Sequence, residues 1–364
     1  MSLSKSSRTS LVSLTTIVAA ILAALVCVSP ASAQNCTAGS GCTIGSATAT
    51  ELPTCPADPN GVGGTCWGLN ISACPNPVTI PYDAIVKVTS PASASIGTVI
   101  FLSPAGGEEF YDAAFAPYGS QIIKTVVKAG YNAAQIVYLN TVAGWTTGPA
   151  ADGPLALACL PATSMQWIHD NVLGTGTPLC ATGNSGGAVQ IAYALAEYGL
   201  GSIFSMVEPT SGPEFARLDN GCSPAGKYTA CAICGYGTES ETFGSGAAAQ
   251  DVDPAYTGNT LGNGPCTHDV GGSTEYAKQL HDDSILSDLY SSPTLSFPAT
   301  NIRMAFGGLD ANSNAISQGL DWTSFIKSAT VIVCVPTAQH TLPGSQAGAA
   351  LLESDLTSYC KLQP

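Results

Sequence analysis

From about residue 82 to the C-terminus, short continuous apolar runs alternate with stretches of helical spacing, and this alternation constrains the fold more than any other feature of the chain. The runs within Gly97 to Ser103 and Ala134 to Leu139 carry almost no polar alternation, which suits strands buried on both faces. Between and after them, Met165, Ile168 and Val172 keep a helical period, as do Val189, Ala192 and Leu195 before the stop at Gly199. Strand alternating with helix predicts an α/β fold, a mostly parallel central sheet flanked by helices.

The 364 residues suffice for one α/β domain with insertions, and nothing in their texture demands a second. Residues 1–33 carry Lys5 and Arg8, an apolar run from Leu11 to Val28, and small residues at Ala31, Ser32 and Ala33, the pattern of a removed export signal. The apolar run is short for a membrane span and ends in Ser29 and Pro30, and no later stretch is long and apolar enough to cross. Without the signal, 9 Lys and Arg face 25 Asp and Glu, a net charge of −16 that argues against nucleic acid as a partner. The expected location is secreted, or periplasmic in a host with an outer membrane. Of 14 cysteines only Cys27 lies in the signal, so 13 enter an oxidising compartment, mainly as disulfides, with at least one left over. Cys231 and Cys234, spaced like a redox or zinc pair, lack a strand leading into them and are read as disulfide cysteines.

Two segments break the alternation. Residues 34–81 hold five cysteines among Gly, Pro, Thr and Asn and read as a stapled, loop-rich N-terminal extension to a domain at 82–364. Residues 211–293 dissolve into Gly, Ser, Asp and Thr with four cysteines and read as an ordered, lid-like insertion forming a pocket wall. Asn35 and Asn70 sit in N-glycosylation sequons, which matter only in a host that glycosylates.

The chemistry-bearing signal is Gly183-Asn184-Ser185-Gly186-Gly187, between a short strand that begins near Pro178 and a helix that begins near Gly186. Gly-x-Ser-x-Gly at a strand-to-helix turn lets a serine stand on a strained elbow with its hydroxyl exposed, because small flanking residues avoid collision. In a chain this rich in Gly and Ser the five letters recur by chance, so the flanking strand and helix carry the reading. Two later residues complete it. Asp310 ends the strand-like run from Asn301 and opens a glycine turn, and His340 follows the run Ala329 to Val335, before a closing helix at about 346–359.

With Ser185, Asp310 and His340 in that order, residues 82–360 resemble the α/β-hydrolase superfamily, with no closer family. The resemblance implies a Ser-His-Asp triad, in which His340 takes the Ser185 proton, Asp310 orients the imidazole, and an acyl-enzyme forms and is hydrolysed. Glu208, at the end of an earlier strand, is the rival acid. The resemblance also implies an oxyanion hole from the N–H of Gly186 and one N–H among Gly106, Gly107 and Glu108, with Gly107 favoured. Of the other histidines, His169 lies in a helix before the elbow and His268 and His281 lie in the insertion, so each is read as structural or exposed. Trp145, in a loop on the presumed active-site side, either lines a substrate pocket or packs the loop down.

The reading is a serine esterase acting on small or polymeric carboxylic esters, with no cofactor and no metal. Two alternatives stand beside it: a serine peptidase or amidase of the same fold, and a non-catalytic binding protein on that scaffold. Acyl specificity, disulfide pairing and oligomeric state are left open.

Overall fold

The apolar runs become the centre of one nine-stranded sheet. The computed structural model describes residues 36–37, 41–58, 61–75, 81–139, 143–147, 152–222, 234, 251–257, 264–268, 274–287, 295–310 and 314–363. In chain order the strands are a two-residue pair, β1 (Cys36–Thr37) and β2 (Gly41–Cys42), then β3 (Ser46–Glu51), β4 (Thr65–Ser72), β5 (Ala84–Thr89), β6 (Thr98–Leu102), β7 (Asn132–Tyr138), β8 (Leu179–Asn184), β9 (Met206–Thr210), β10 (Asn301–Gly307) and β11 (Thr330–Val335). The main sheet runs β11-β10-β9-β8-β6-β7-β5-β4-β3. From β7 to β11 every pairing is parallel, while β5, β4 and β3 add an antiparallel edge. This is the mostly parallel, helix-flanked sheet that the alternation predicts, and the closing helix falls at Gln346–Tyr359 as expected.

Side-chain alternation sends each strand's residues to two cores. On one face Val99, Phe101, Cys180 and Ala305 meet α1 (Tyr118–Lys128) and the closing helix, through Ile122, Val126, Leu352 and Leu356. On the other, Ile100, Leu102, Ala181, Met304 and Phe306 meet α2 (Cys159–Asn171), α3 (Gly186–Ala196) and α4 (Ala315–Phe325). The closing helix is here α5.

The extension at 34–81 does more than staple loops, because it supplies β3 and β4 to the main sheet. β3, Ser-Ala-Thr-Ala-Thr-Glu, is an edge strand exposed along most of its length, so it shows no apolar period to read. Lys87, in the middle of the buried strand β5, also ties the extension down. Its ammonium lies 2.6 Å from Asp58 and 3.0 Å from Asp112, and sits 4.2 Å above the Phe110 ring, with Lys87 only 2 % exposed. Removing a buried cation leaves two carboxylates without their partner, so Lys87→Ala is expected to cost about 3–5 kcal/mol of unfolding free energy. Urea titration reads this; a loss under about 1 kcal/mol would mean that water replaces the ammonium.

Among the described residues six disulfides join Cys36–Cys42, Cys55–Cys66, Cys74–Cys159, Cys180–Cys360, Cys222–Cys266 and Cys234–Cys334. Cys234 is therefore paired, and not with Cys231. Cys27, residues 1–33, Asn35, Cys231 and much of 211–293 lie outside the described residues. The described parts of 211–293 pack into the main core: Val252, Ala255, Leu280 and Ile285 are buried there, and the Tyr193 hydroxyl donates to the Asp283 carbonyl. Among the described residues no helix is long and apolar enough to cross a membrane.

Candidate active site

Neighbouring parallel strands end at the same edge of a sheet, so residues just past their carboxyl ends share one crevice. Past β8, Ser185 adopts φ 54° and ψ −119°, a left-handed conformation that costs a non-glycine residue about 1–3 kcal/mol. The neighbours hold it there: its N–H donates to the Thr210 carbonyl at 2.9 Å, and its own carbonyl accepts from Val189 in the first turn of α3. The strained turn aims the hydroxyl out of the sheet edge, as Gly-x-Ser-x-Gly predicts.

Asp310 and His340 come together because β10 and β11 run in register, with Gly307 opposite Val335. The loops after them then interlock. Gly308 and Leu309 donate to the carbonyls of Val335 and Ala338, and a Cβ on Gly307 would lie 2.2 Å from the Gln339 carbonyl oxygen, so only glycine permits the approach. His340 Nδ1 lies 2.9 Å from Asp310 Oδ2, with the Asp310 side chain only 2 % exposed.

The rival acid points the other way. Glu208 shares its sheet face with Arg303 and Asp355 of α5, and is fully buried. Burial and the nearby Asp355 charge push its carboxyl well above the usual range, against the opposing pull of Arg303. His169 pairs with Asp170 on the surface of α2, and His281 lies beside Asp282.

Between Ser185 and His340 stands a residue the sequence reading passed over. Glu214 lies four positions beyond β9, the strand between those of Ser185 and Asp310. Ser185 Oγ donates to Glu214 Oε2 at 2.8 Å, and Glu214 Oε1 is 3.7 Å from His340 Nε2. Burial raises the Glu214 carboxyl, opposed by the His340 charge and the Ser185 hydrogen bond, while Asp310 adds to the rise. Asp251 is pushed up to about 7 by burial and by the charges of Glu214 and Glu108, which outweigh His340. Burial lowers the proton affinity of His340, but the Asp310 hydrogen bond and the charges of Glu214, Asp310 and Asp251 prevail and push it up to about 9. The one available signal for Glu214 was an acid just past the end of a strand beside the elbow strand.

The turn after β6 holds Gly106 and Gly107, the candidate oxyanion donors, and both N–H groups already have acceptors. The Gly107 N–H closes a turn onto the Pro104 carbonyl at 3.0 Å, and the Gly106 N–H supports the Glu108 carboxylate, so neither is left to face the elbow. Ala105, at φ 49°, lies against the elbow instead: a Cβ on Gly186 would sit 1.9 Å from its carbonyl oxygen. Among the described residues the N–H of Ala105 has no acceptor. Trp145 takes the packing role. It is 1 % exposed, lies against Tyr193 and Phe215, and donates its backbone N–H to the Gly106 carbonyl, so it braces the turn after β6 and offers no open face. Among the described residues no three His, Cys, Asp or Glu are grouped to hold a metal ion.

No family model matches the chain, and no curated protein matches it. Similar solved structures include brefeldin A esterase, a bacterial homologue of human hormone-sensitive lipase, at 12% identity and a TM-score of 0.48 over 88% of this chain and 77% of that one. Another is the acylaminoacyl peptidase of Pyrococcus horikoshii, at 8% identity and a TM-score of 0.46 over 88% of this chain and 43% of that one. A third is mouse alpha/beta hydrolase domain-containing protein 10, at 13% identity and a TM-score of 0.44 over 85% of this chain and 96% of that one.

Proposed function

On this α/β-hydrolase fold, we propose that the chain is a secreted serine hydrolase of carboxylic esters, with Ser185 as nucleophile and His340 and Asp310 as the pair that serves it. The observation that carries the proposal is Ser185 at its strained elbow, joined through Glu214 to an imidazole that a buried aspartate holds. A serine hydroxyl reacts when a base holds its proton and a donor set receives the oxyanion. Ser185 attacks the ester carbonyl, the alcohol leaves, and water releases the acyl-enzyme. The oxyanion is held by the N–H of Gly186 with that of Ala105. The residues of this site need no metal for that sequence of steps. Disulfides and the export pattern at 1–33 favour an oxidising, extracellular setting.

The test is hydrolysis of p-nitrophenyl esters of increasing acyl length by the mature protein, with fluorophosphonate labelling and mapping of the labelled peptide. Turnover with the label on Ser185 is expected. Folded protein that takes no label and turns over no ester would sink the proposal.

Gly186→Ala probes the oxyanion hole separately. Its Cβ would drive the Ala105 carbonyl away from the elbow, and the expected result is a fall in kcat of about 10²–10³ with a smaller change in KM. An unchanged kcat would exclude the Ala105 turn from the oxyanion hole.

A further inference from the structure

The N-terminal extension brings two tryptophans together far from Ser185. Trp67 lies on β4, opposite Glu51 of β3 on one side and Val86 of β5 on the other. Trp167 lies on α2, which packs over β3 and β4. The two rings meet with centroids 6.0 Å apart and planes tilted by 50°, and both are only partly buried. Beside them runs a groove of about 650 Å³, within the range of about 300–1,000 Å³ that small-ligand sites occupy. Five strand spacings, about 24 Å, separate β3 from β8 and its elbow. The groove reaches Asn132 at the amino end of β7, whereas Ser185 stands past the carboxyl end of β8. Ester hydrolysis at the elbow makes no use of it.

We infer that this groove is a second binding site, for neutral carbohydrate chains. The inference stands apart from the esterase reading and goes beyond it. A pyranose ring offers a face of C–H groups and a rim of hydroxyls, so an aromatic platform edged with hydrogen-bonding groups holds it. The groove supplies both. The paired indoles form the platform, and Glu51, Ser90, Asn132 and Asn171 line the rim. Two of these are set before a ligand arrives, because the Asn132 amide donates to the Val172 carbonyl and the Asn171 amide to that of Trp167. Small residues keep the platform open: Ala47 and Ala49 of β3 line the groove, and larger side chains there would close it.

The lining also selects among ligands. It holds one carboxylate and, among the described residues, no Lys, Arg or His, on a chain of net charge −14, so an anionic ligand finds no counter-charge. A cation in an aromatic cage needs the space between facing rings, and here that space is closed, because rings 6.0 Å apart touch each other. A neutral polyhydroxylated chain lies along the platform and meets neither obstacle.

The experiment uses the mature protein and the placing of its four tryptophans. Trp145 and Trp322 are fully buried, so a ligand that shields indole fluorescence from acrylamide covers Trp67 or Trp167. The probes are xylohexaose, cellohexaose and mannohexaose, with polygalacturonate as the anionic control and tetramethylammonium as the cationic one. Shielding by at least one hexasaccharide, and by neither control, is expected, with slowed migration in native gels that contain the matching soluble polysaccharide. Trp167→Ala should weaken that retention about tenfold or more, since a tryptophan at the centre of a contact carries much of its affinity. Undiminished retention by folded Trp167→Ala would place the carbohydrate elsewhere and overturn the inference. No shielding by any hexasaccharide, or shielding by a control in their place, would overturn it too. The wild-type shielding decides even if the variant fails to fold.

Discussion

Ser185→Ala is expected to lower kcat/KM for p-nitrophenyl esters by about 10⁴-fold or more, with the fold retained. The loss is large because the proposed nucleophile is gone, and what survives is the oxyanion hole and substrate binding, which by themselves give a small part of such catalysis. The cost to stability is a separate matter with opposing contributions. Alanine removes the hydrogen bond to Glu214 and leaves that buried carboxylate with the His340 contact alone, a loss of about 1–3 kcal/mol. It does not remove the strain at φ 54°, because alanine carries a Cβ as serine does. Ser185→Gly relieves that strain, so the glycine variant should be equally inactive yet more stable than the alanine variant by about 1 kcal/mol. Turnover and thermal unfolding of the pair check both halves. Wild-type turnover in either variant would remove Ser185 as nucleophile.

The second large effect concerns Cys180–Cys360. This bridge joins β8, five residues before Ser185, to the residue that caps α5, and it spans 180 residues of sequence. Closing so long a loop restricts the unfolded chain strongly, and the double variant Cys180→Ala/Cys360→Ala is expected to lose about 3–5 kcal/mol of unfolding free energy. Removing both sulfurs avoids a free thiol that would exchange with the other bridges. Both cysteines are fully buried, so the variant also loses packing, and the sign of the two effects is the same. The α5 end is held further by Arg303–Asp355 and by the Tyr131 hydroxyl donating to the Cys360 carbonyl. If urea titration shows a loss under about 1 kcal/mol, those contacts suffice to hold α5 without the bridge. Because β8 carries the elbow, loosening α5 is also expected to shorten the active lifetime of the protein at elevated temperature.

Much of this architecture is written locally. β6, β7, β8 and β10 are legible as largely apolar runs because they are buried on both faces, the half-exposed edge strand β11 because its run Val331 to Val335 is apolar all the same, and the elbow because a positive φ before a helix demands small neighbours. Asp310 and His340 are legible from their places after strands. Other residues were not, each for a physical reason. β3 is exposed along most of its length, so burial imposed no period on it. Trp145 had two roles open, and only the neighbours Tyr193 and Phe215 decided for packing. Which N–H of the turn after β6 lacks a backbone acceptor depended on the Pro104 carbonyl, which takes that of Gly107.

Glu214 shows the division most clearly. The one mark around Ser211 to Phe215 is an acid just past a strand, and Glu208, six residues earlier, had the better local credentials. The sequence by itself determined the strands, the elbow and the order of Ser185, Asp310 and His340, since these depend on burial and backbone sterics acting over a few residues. Tertiary structure alone decided that β9 runs between β8 and β10, that Glu208 turns toward Arg303 and Asp355, and that Glu214 meets the serine hydroxyl. Local sterics act along the chain, whereas the field around a titratable group is set by whatever the sheet order brings within a few ångströms of it.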